Sequence, residues 1–286
     1  MQGTFTGLNT AVIKNDNHFL ALLLKLKDKS GNASLYYMQA PVLVDLMLCL
    51  RSRMDIVTKR LSEEGEDYKA ELIAANEALL ANTPQIEMTE VQQPAPERRV
   101  MSITFKPGNT SSTLVTMLPN EHVVMLDIDD MHIEAVMVAI QQALTHAGEE
   151  QLLQLIGLNM TYLMLYTVDL TRGDDIDYQH QAHEQWKLNL FSHYLAVLYC
   201  YETDQGKNIL AGAVIKTSFP HPSNEENQIV MLASKRNLKL KSLEEKYPLC
   251  QIFTRIIPSQ PGKMLSLAEC LRPVHAFFVE QQAKLN

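Results

Sequence analysis

Apolar segments of strand length, separated by very short polar turns, constrain the fold of this chain most. Three such segments open it, from Phe5 to Lys14, Phe19 to Lys27 and Ser34 to Met38. The turns between them are Asn15-Asp16-Asn17 and the stretch 28–32, which are rich in the residues that favour turns. Because strands joined by short turns pair in antiparallel fashion, the sequence predicts a β-meander.

An amphipathic helix follows this meander directly. Pro41 suits the first helical turn, where its missing N–H costs nothing. Apolar residues then recur at steps of three and four, which predicts a helix of about five turns with one buried face. The apolar stripe consists of Leu43, Leu46, Met47, Leu50, Met54, Val57 and Leu61. We place Arg51, Arg53, Lys59 and Arg60 on the opposite, solvated face.

The same order of strands and then a helix recurs further on. After a second predicted helix (Asp67 to Leu80), prolines mark a linker over residues 82–99. Strands are predicted from Val100 to Lys106, Thr113 to Leu118 and His122 to Ile128. Asp129 or Asp130 can cap the next helix, which ends near Gly148. Because a helix with one apolar stripe can cover a sheet face, we predict an α+β fold of antiparallel meanders, each followed by a covering helix.

A short sequence repeat points to two related lobes. The segment His18 to Leu23 resembles His193 to Leu198, and the same offset separates the turn glycines Gly31 and Gly206. This similarity indicates an internal duplication, with chance resemblance between apolar strands as the alternative. We accordingly divide the chain into an N-terminal lobe (residues 1–148) and a C-terminal lobe (residues 151–286).

The second half is predicted to contain mainly strands and a final helix. The strands run from Thr161 to Leu170, Lys187 to Glu202 with a break near Ser192, Ile209 to Lys216, Gln228 to Ala233 and Leu249 to Ile257. Ser266 and Glu269 form a capping box at the start of the last helix. Pro273 should kink that helix or begin a second one.

Charge and cysteine content narrow the range of functions. The net charge of −8 disfavours nucleic-acid binding, for which a basic surface is typical. The local basic candidates are Lys235-Arg236 with Lys239 and Lys241, and Lys25-Lys27-Lys29, which we interpret as a solvated strand face. The cysteines Cys49, Cys200, Cys250 and Cys270 have no metal-binding spacing and are predicted to be buried free thiols.

No membrane-spanning segment or signal peptide is evident, and the cysteine usage fits a reducing compartment, so we expect a cytoplasmic protein without a membrane partner.

The acidic loop over residues 171–185 is the best candidate for chemistry. Its carboxylates Asp174, Asp175 and Asp177 could bind a hard divalent cation. Its histidines His180 and His183 could bind zinc from one helical face. The order of these residues matches neither a metalloprotease motif nor a calcium loop, so a solvated insertion is the favoured interpretation.

Other candidate sites have a structural explanation that we favour. Asp127, Asp129 and Asp130 at a strand end could hold magnesium, but helix capping accounts for at least one of them. His18 and His193 could act as bases, but a structural role is preferred. Phosphate-binding glycine motifs and a nucleophile elbow are absent from the sequence, so no cofactor is expected.

Three segments carry a family resemblance. They are the run Asn15 to Leu24, the run Phe191 to Cys200 and the run Phe253 to Gly262. With these segments the chain resembles the YjeJ-type proteins of enteric bacteria over most of its length. The resemblance implies a bacterial cytoplasmic protein and supplies no catalytic residues.

The sequence therefore favours a non-enzymatic binding or regulatory protein that acts through protein–protein contacts or self-association. The first alternative is a metal-dependent hydrolase or phosphoryl-transfer enzyme that uses the acidic loop. The second alternative is a nucleic-acid-binding protein that uses the segment Lys235 to Lys241.

Overall fold

A computed structural model describes residues 4–171, 177–260 and 263–285 of the chain. Helices and antiparallel sheets occur together, which confirms the α+β prediction. The chain divides into two compact units, residues 1–160 and residues 161–286, each of which makes most of its contacts within itself.

The first unit begins with the predicted meander and helix. Its strands are β1 (Gly7–Asn15), β2 (His18–Lys27), β3 (Ala33–Met38), β4 (Arg99–Val100), β5 (Ser102–Pro107), β6 (Ser111–Met117) and β7 (Val123–Asp129). Its helices are α1 (Ala40–Glu64), α2 (Glu66–Ala81), α3 (Met88–Gln92), α4 (Ile133–His146) and α5 (Glu150–Asn159). One sheet has the order β1-β2-β3-β4 and is antiparallel except for the β3–β4 pair, and the other has the antiparallel order β5-β6-β7.

Helix α1 packs on the sheets through its apolar stripe, as the sequence predicted. Leu43, Leu46 and Leu50 on this stripe are buried, and α1 contacts β2, β3 and β5. Asp129 caps the short helix that precedes α4, since its side chain accepts a hydrogen bond from the backbone N–H of Met131. One of the two aspartates therefore acts as a cap, although it caps this short helix and not α4 itself.

The second unit contains one antiparallel sheet with the strand order β12-β10-β11-β8-β9. Its strands are β8 (Tyr162–Asp169), β9 (Asp177–His180), β10 (His193–Thr203), β11 (Gly206–Thr217) and β12 (Leu249–Ile257). Its helices are α6 (Gln185–Asn189), α7 (Asn224–Arg236), α8 (Leu238–Glu244) and α9 (Leu267–Leu285). Helix α9 lies against β10 and β11. The predicted capping box is present, because Ser266 and Glu269 exchange hydrogen bonds.

Two predictions about the second unit need correction, and a third is narrowed. The segment Gln228 to Ala233 is not a strand but part of α7, whose first turn is capped by Ser223. The predicted strand from Lys187 to Glu202 is divided into α6 and β10, with the expected break near Ser192. Helix α9 continues past Pro273, which leaves a kink as the remaining alternative of the two predicted for this proline.

Two predictions about charged residues were also wrong. Arg53 is buried, because its guanidinium pairs with Asp130. Lys25 is buried as well, because its ammonium pairs with Glu90 at 2.7 Å. A charged side chain tolerates burial when a partner of opposite charge accompanies it, and both partners are distant in sequence.

The internal duplication is not confirmed. Both copies of the repeat are strands, and Gly31 and Gly206 have positive φ angles of 84° and 96°, as turn glycines do. However, the tripeptide Gly-Leu-Asn, which also occurs in both halves of the sequence, lies in β1 at residues 7–9 but in helix α5 at residues 157–159.

None of the helices in the described part of the chain is both long enough and apolar enough to cross a membrane.

Candidate functional site

The structure describes only part of the predicted metal-binding loop. Asp174 and Asp175 lie outside the described residues. Asp177 and His180 are the ends of strand β9, so the helical arrangement that we predicted for the histidines is wrong. Among the described residues, no three histidine, cysteine or carboxylate side chains are grouped as metal ligands.

The two histidines of this loop contact other groups. The ring of His180 stacks on Tyr166, with 5.0 Å between the ring centroids. His183 Nε2 lies 2.7 Å from the carbonyl oxygen of Met164. Burial lowers the pKa of His183, which keeps the ring neutral at pH 7. A neutral ring that donates to a backbone carbonyl fastens the loop to β8.

The basic segment Lys235 to Lys241, which spans the end of α7 and the start of α8, is partly neutralised. Lys239 lies 3.0 Å from an Asp169 carboxylate oxygen and 3.8 Å from one of Asp177. Burial raises the pKa of Asp169, but hydrogen bonds from Thr171 and Lys239 outweigh it, so the net shift is downward. Lys239 is therefore already paired with carboxylates of its own unit, so it contributes less positive charge for binding nucleic-acid phosphates.

The three aspartates at the end of β7 have three different partners. Asp127 accepts a 2.6 Å hydrogen bond from the Thr113 hydroxyl. Asp129 caps the following turn, and Asp130 pairs with Arg53. This arrangement explains each carboxylate without a bound magnesium ion.

Lys216 in the second unit is the most unusual charged residue of the described chain. It occupies the second-last position of β11, where it pairs across the sheet with Tyr194 of β10. Tyr194 in turn pairs with Ile257 of β12. Only 4% of the Lys216 residue surface is exposed. No local pattern predicted this burial, because a lysine at the end of an apolar strand usually reaches solvent.

The ammonium group of Lys216 has no carboxylate partner among the described residues. Its Nζ donates to the carbonyl oxygen of Leu188 and lies 3.9 Å from the sulfur of Met264. It also lies 4.8 Å from the centre of the Tyr194 ring, which is a cation–π contact. These contacts stabilise a cation, but none of them neutralises its charge.

Burial has a clear electrostatic consequence for this lysine. Removal of the ammonium from water disfavours its charged form, and the pKa of Lys216 is lowered for that reason. An anion placed beside Nζ would favour the charged form. The Lys216 ammonium is therefore suited to bind a negatively charged ligand.

Lys216 lines a cavity of about 660 Å³ at this end of the sheet. The volume is typical of sites for small molecules. The polar side chains of its wall come from Asn189, Ser192, His193, Tyr194, Lys216, Ser259, Gln260 and Lys263, and its apolar side chains include Leu190, Phe191 and Ile257. The described lining thus holds two lysines and a histidine but no carboxylate.

A second cavity of about 580 Å³ adjoins this wall and shares the segment Ile257 to Gln260 and Lys263 with it. It adds Arg272 and Glu269 to the neighbourhood. Glu269 lies 2.7 Å from Lys263, and hydrogen bonds from Lys263 and Ser266 lower its pKa to about 2. Lys263 is therefore compensated, whereas Lys216 is not.

The repeat histidines differ in their surroundings. His193 is half-buried and lines the Lys216 cavity, whereas His18 is exposed at the start of β2. Sequence reasoning connected the two residues but gave no indication of the cavity. The cavity depends on cross-strand neighbours, and only the register of β10, β11 and β12 brings those residues together.

Comparison with known proteins places the chain in a family. A family model described as YjeJ-like matches residues 1–284. The chain belongs to the YjeJ-like family. One relative in this family is the Escherichia coli (strain K12) protein named "Uncharacterized protein YjeJ", which is 30% identical over 279 residues, 97% of this chain and 96% of the relative. This match confirms the family resemblance seen in the sequence. No solved structure matches the chain.

Proposed function

We propose that this YjeJ-like protein binds a small organic carboxylate in the Lys216 cavity and acts as a binding protein rather than an enzyme. The observation that carries this proposal is the buried Lys216 ammonium, which has no described carboxylate partner and lines a cavity. Moving a charged group out of water without a counter-charge costs several kcal/mol of free energy. A carboxylate ligand would offset that cost.

The rest of the cavity supports an organic ligand rather than a bare inorganic anion. Phe191, Leu190 and Ile257 supply apolar wall, while Ser192, His193 and Gln260 supply hydrogen-bonding groups. Small-molecule sites typically combine a mainly apolar wall with a few polar groups that fix the orientation of the ligand. We also propose a cytoplasmic location. The four cysteines are free thiols in the structure, and thiols stay reduced in a reducing compartment such as the cytoplasm.

Replacement of Lys216 by methionine tests the proposal. Calorimetry at constant ionic strength measures binding of mono-, di- and tricarboxylates, with inorganic phosphate as a comparison. Loss of a hydrogen-bonded charge should weaken carboxylate binding by about 10- to 100-fold. Binding should also weaken as the pH rises through the pKa of Lys216, which lies below the usual lysine value of 10.5.

Lys235→Met is the matched control, because Lys235 is an exposed lysine of the same unit outside the cavity. It should leave binding unchanged. Methionine fits the volume of Lys216 and removes a buried charge, so the variant should lose no more than about 1 kcal/mol of stability. The proposal is wrong if none of the carboxylates binds, or if they bind equally to wild type and Lys216→Met.

A second candidate function, self-association, is favoured by one face of the sheet β5-β6-β7. Met117, Val123 and Met125 on this face are exposed by 43%, 48% and 44% of their surface. Met117 pairs with Val123, and Val115 pairs with Met125, so the apolar side chains form neighbouring rows. Contiguous exposed apolar residues of this kind commonly mark an interaction surface.

Charges at the edge of this face point to a second copy of the chain as the partner. Lys106 of β5, Thr113 of β6 and Asp127 of β7 occupy one cross-strand row. Suppose that two copies pack with these faces together around a twofold axis that runs parallel to β6. The rotation then places β5 of one copy over β7 of the other, and each residue keeps its height along the strands. Two copies related in this way would bring each Lys106 opposite Asp127 of the other copy, and the apolar rows opposite each other.

Sedimentation equilibrium tests this arrangement. The wild type should form a dimer, and Met125→Asp should be a monomer because a buried unpaired carboxylate opposes association. Met231→Asp, at a methionine of α7 that is 51% exposed, is the control and should remain dimeric. Lys106→Asp should raise the dimer dissociation constant about tenfold or more, and the added change Asp127→Lys should reverse this. A monomeric wild type, or a dimer that Met125→Asp leaves intact, contradicts the proposal.

The two alternatives from the sequence have weaker support. The described residues of the acidic loop group no metal ligands, and the most acidic part of the loop lies outside them. Lys239 of the basic segment is already paired with Asp169. We therefore propose neither metal-dependent catalysis nor nucleic-acid binding.

A further inference from the structure

Two of the cysteines meet across neighbouring strands, which the sequence did not indicate. Cys200 lies on β10 and Cys250 on β12, and their sulfur atoms are 3.6 Å apart. The Cys250 thiol also lies 3.3 Å from the carbonyl oxygen of Cys200, to which it donates. The prediction that all four cysteines are buried was wrong for Cys250, which is exposed, whereas Cys200 is buried.

A β-bulge produces this encounter. Cys200 pairs with Gln251, and the next residue of β10, Tyr201, pairs with Leu249. Cys250 is therefore the extra residue of β12 at this point. A bulge redirects the side chain of the extra residue, and here it brings Cys250 beside Cys200.

We propose that Cys200 and Cys250 are a redox modification site that forms a reversible disulfide by exchange with a small disulfide such as oxidised glutathione. A disulfide requires sulfur atoms about 2.05 Å apart and Cα atoms about 4.4–6.8 Å apart. Cys250 is not directly opposite Cys200 in the ladder, but its sulfur lies 3.6 Å from the Cys200 sulfur, about 1.5 Å beyond bonding distance. The sulfur atoms therefore need only a small side-chain movement to bond.

The exchange proceeds in two balanced steps. First, the Cys250 thiolate attacks one sulfur of the small disulfide, whose S–S bond breaks and releases one thiolate. Next, the Cys200 sulfur attacks the Cys250 sulfur and displaces the second small thiolate, which takes up the proton that the Cys200 thiol loses. The two protein thiols are oxidised, and the small disulfide is reduced to two thiols.

Exposure determines the order of these steps. Cys250 is the accessible thiol, so it meets the small disulfide first. Burial and the neighbouring Cys250 thiol raise the pKa of Cys200 to about 12, so Cys200 is a poor nucleophile toward a small disulfide in solution. It can act in the second, intramolecular step because its sulfur lies 3.6 Å from that of Cys250. Reversible disulfides in reducing compartments are commonly redox-sensing, and this one would join β10 to β12.

Mass spectrometry of the folded protein after treatment with excess oxidised glutathione tests the site. The wild type should lose two hydrogen atoms and yield a cross-linked peptide containing Cys200 and Cys250, and dithiothreitol should reverse this. Cys200→Ala should retain glutathione on Cys250, because no second thiol displaces it. Cys250→Ser should gain neither a glutathione adduct nor a cross-link.

Cys49 and Cys270 are internal controls, since both are buried and should remain unmodified until the protein is unfolded. The proposal is overturned if the treated wild type keeps all four thiols, or if it retains glutathione on Cys250 without a cross-link. It is also overturned if Cys250→Ser reacts as fast as the wild type. These outcomes are independent of carboxylate binding.

Discussion

Asp130→Asn is expected to lower the free energy of unfolding by about 3–5 kcal/mol, because it leaves the buried Arg53 guanidinium without a counter-charge. Both side chains of this pair are 2% exposed. The guanidinium donates from Nε to one carboxylate oxygen at 2.8 Å and from Nη2 to the other at 2.6 Å. Such two-point contact is the strongest form of this ion pair.

Arg53 also connects helix α1 to the turn between β5 and β6. Its guanidinium donates to the carbonyl oxygens of Gly108 at 2.9 Å and Asn109 at 3.1 Å. One side chain therefore satisfies two carbonyl groups in addition to a carboxylate. The loss of Arg53 should consequently be at least as destabilising as the loss of Asp130.

Urea denaturation monitored by circular dichroism measures the change in the free energy of unfolding. Hydrogen exchange of backbone amides in the first unit shows whether that unit is the part destabilised. Arg51→Ala is the control, since Arg51 pairs with Asp55 at 3.2 Å on the exposed face of the same helix. The control should change stability by less than about 1 kcal/mol. Equal stability changes for Asp130→Asn and Arg51→Ala would show that the buried pair has no special role.

Gly7→Ala is expected to lower stability by about 3 kcal/mol, because the new methyl group would overlap a neighbouring backbone. A Cβ atom on Gly7 would lie 2.1 Å from the carbonyl oxygen of Asn82. The Asn82 side chain is held by donation to the Thr6 carbonyl at 3.1 Å and by acceptance from Lys27 Nζ at 2.6 Å. These contacts prevent the backbone from moving aside easily.

Gly157→Ala is the matched control for this substitution. Gly157 lies in helix α5, and a Cβ there would meet no atom within 4 Å. Alanine is favoured over glycine in a helix by about 1 kcal/mol, so this variant should be more stable than the wild type. Thermal unfolding of both variants gives the comparison. A Gly7→Ala protein as stable as the wild type would contradict the close approach of β1 and Asn82.

Local patterns predicted most elements of the fold. The stripe from Leu43 to Val57 defined α1 because helical periodicity is set by neighbours in the sequence. The segment around Ile229 and Val230 was misassigned as a strand because β-branched apolar residues favour strands. The cap Ser223, which accepts from the backbone N–H of Glu226, is the local signal that could have corrected this assignment.

Long-range pairing explains what the sequence could not predict. Arg53 follows Leu50 by three residues and precedes Val57 by four, so it lies on the apolar stripe, but burial depends on Asp130, 77 residues away. Lys216 ends an apolar strand, and nothing nearby in sequence shows that the Tyr194 ring and the Leu188 carbonyl lie beside its ammonium group. The meeting of Cys200 and Cys250 depends on one bulged residue in β12. Each of these features requires the strand register.

Nuclear magnetic resonance of isotope-labelled lysine side chains decides the carboxylate proposal. The Lys216 signal is assigned by its absence from Lys216→Arg, and carboxylates are titrated into the wild type. We expect the Lys216 signal to shift saturably, with the same dissociation constant that calorimetry gives, while the signal of Lys235 stays in place. A Lys216 signal that remains fixed while a carboxylate saturates the protein, or a protein that binds no carboxylate, would contradict a binding site at this lysine.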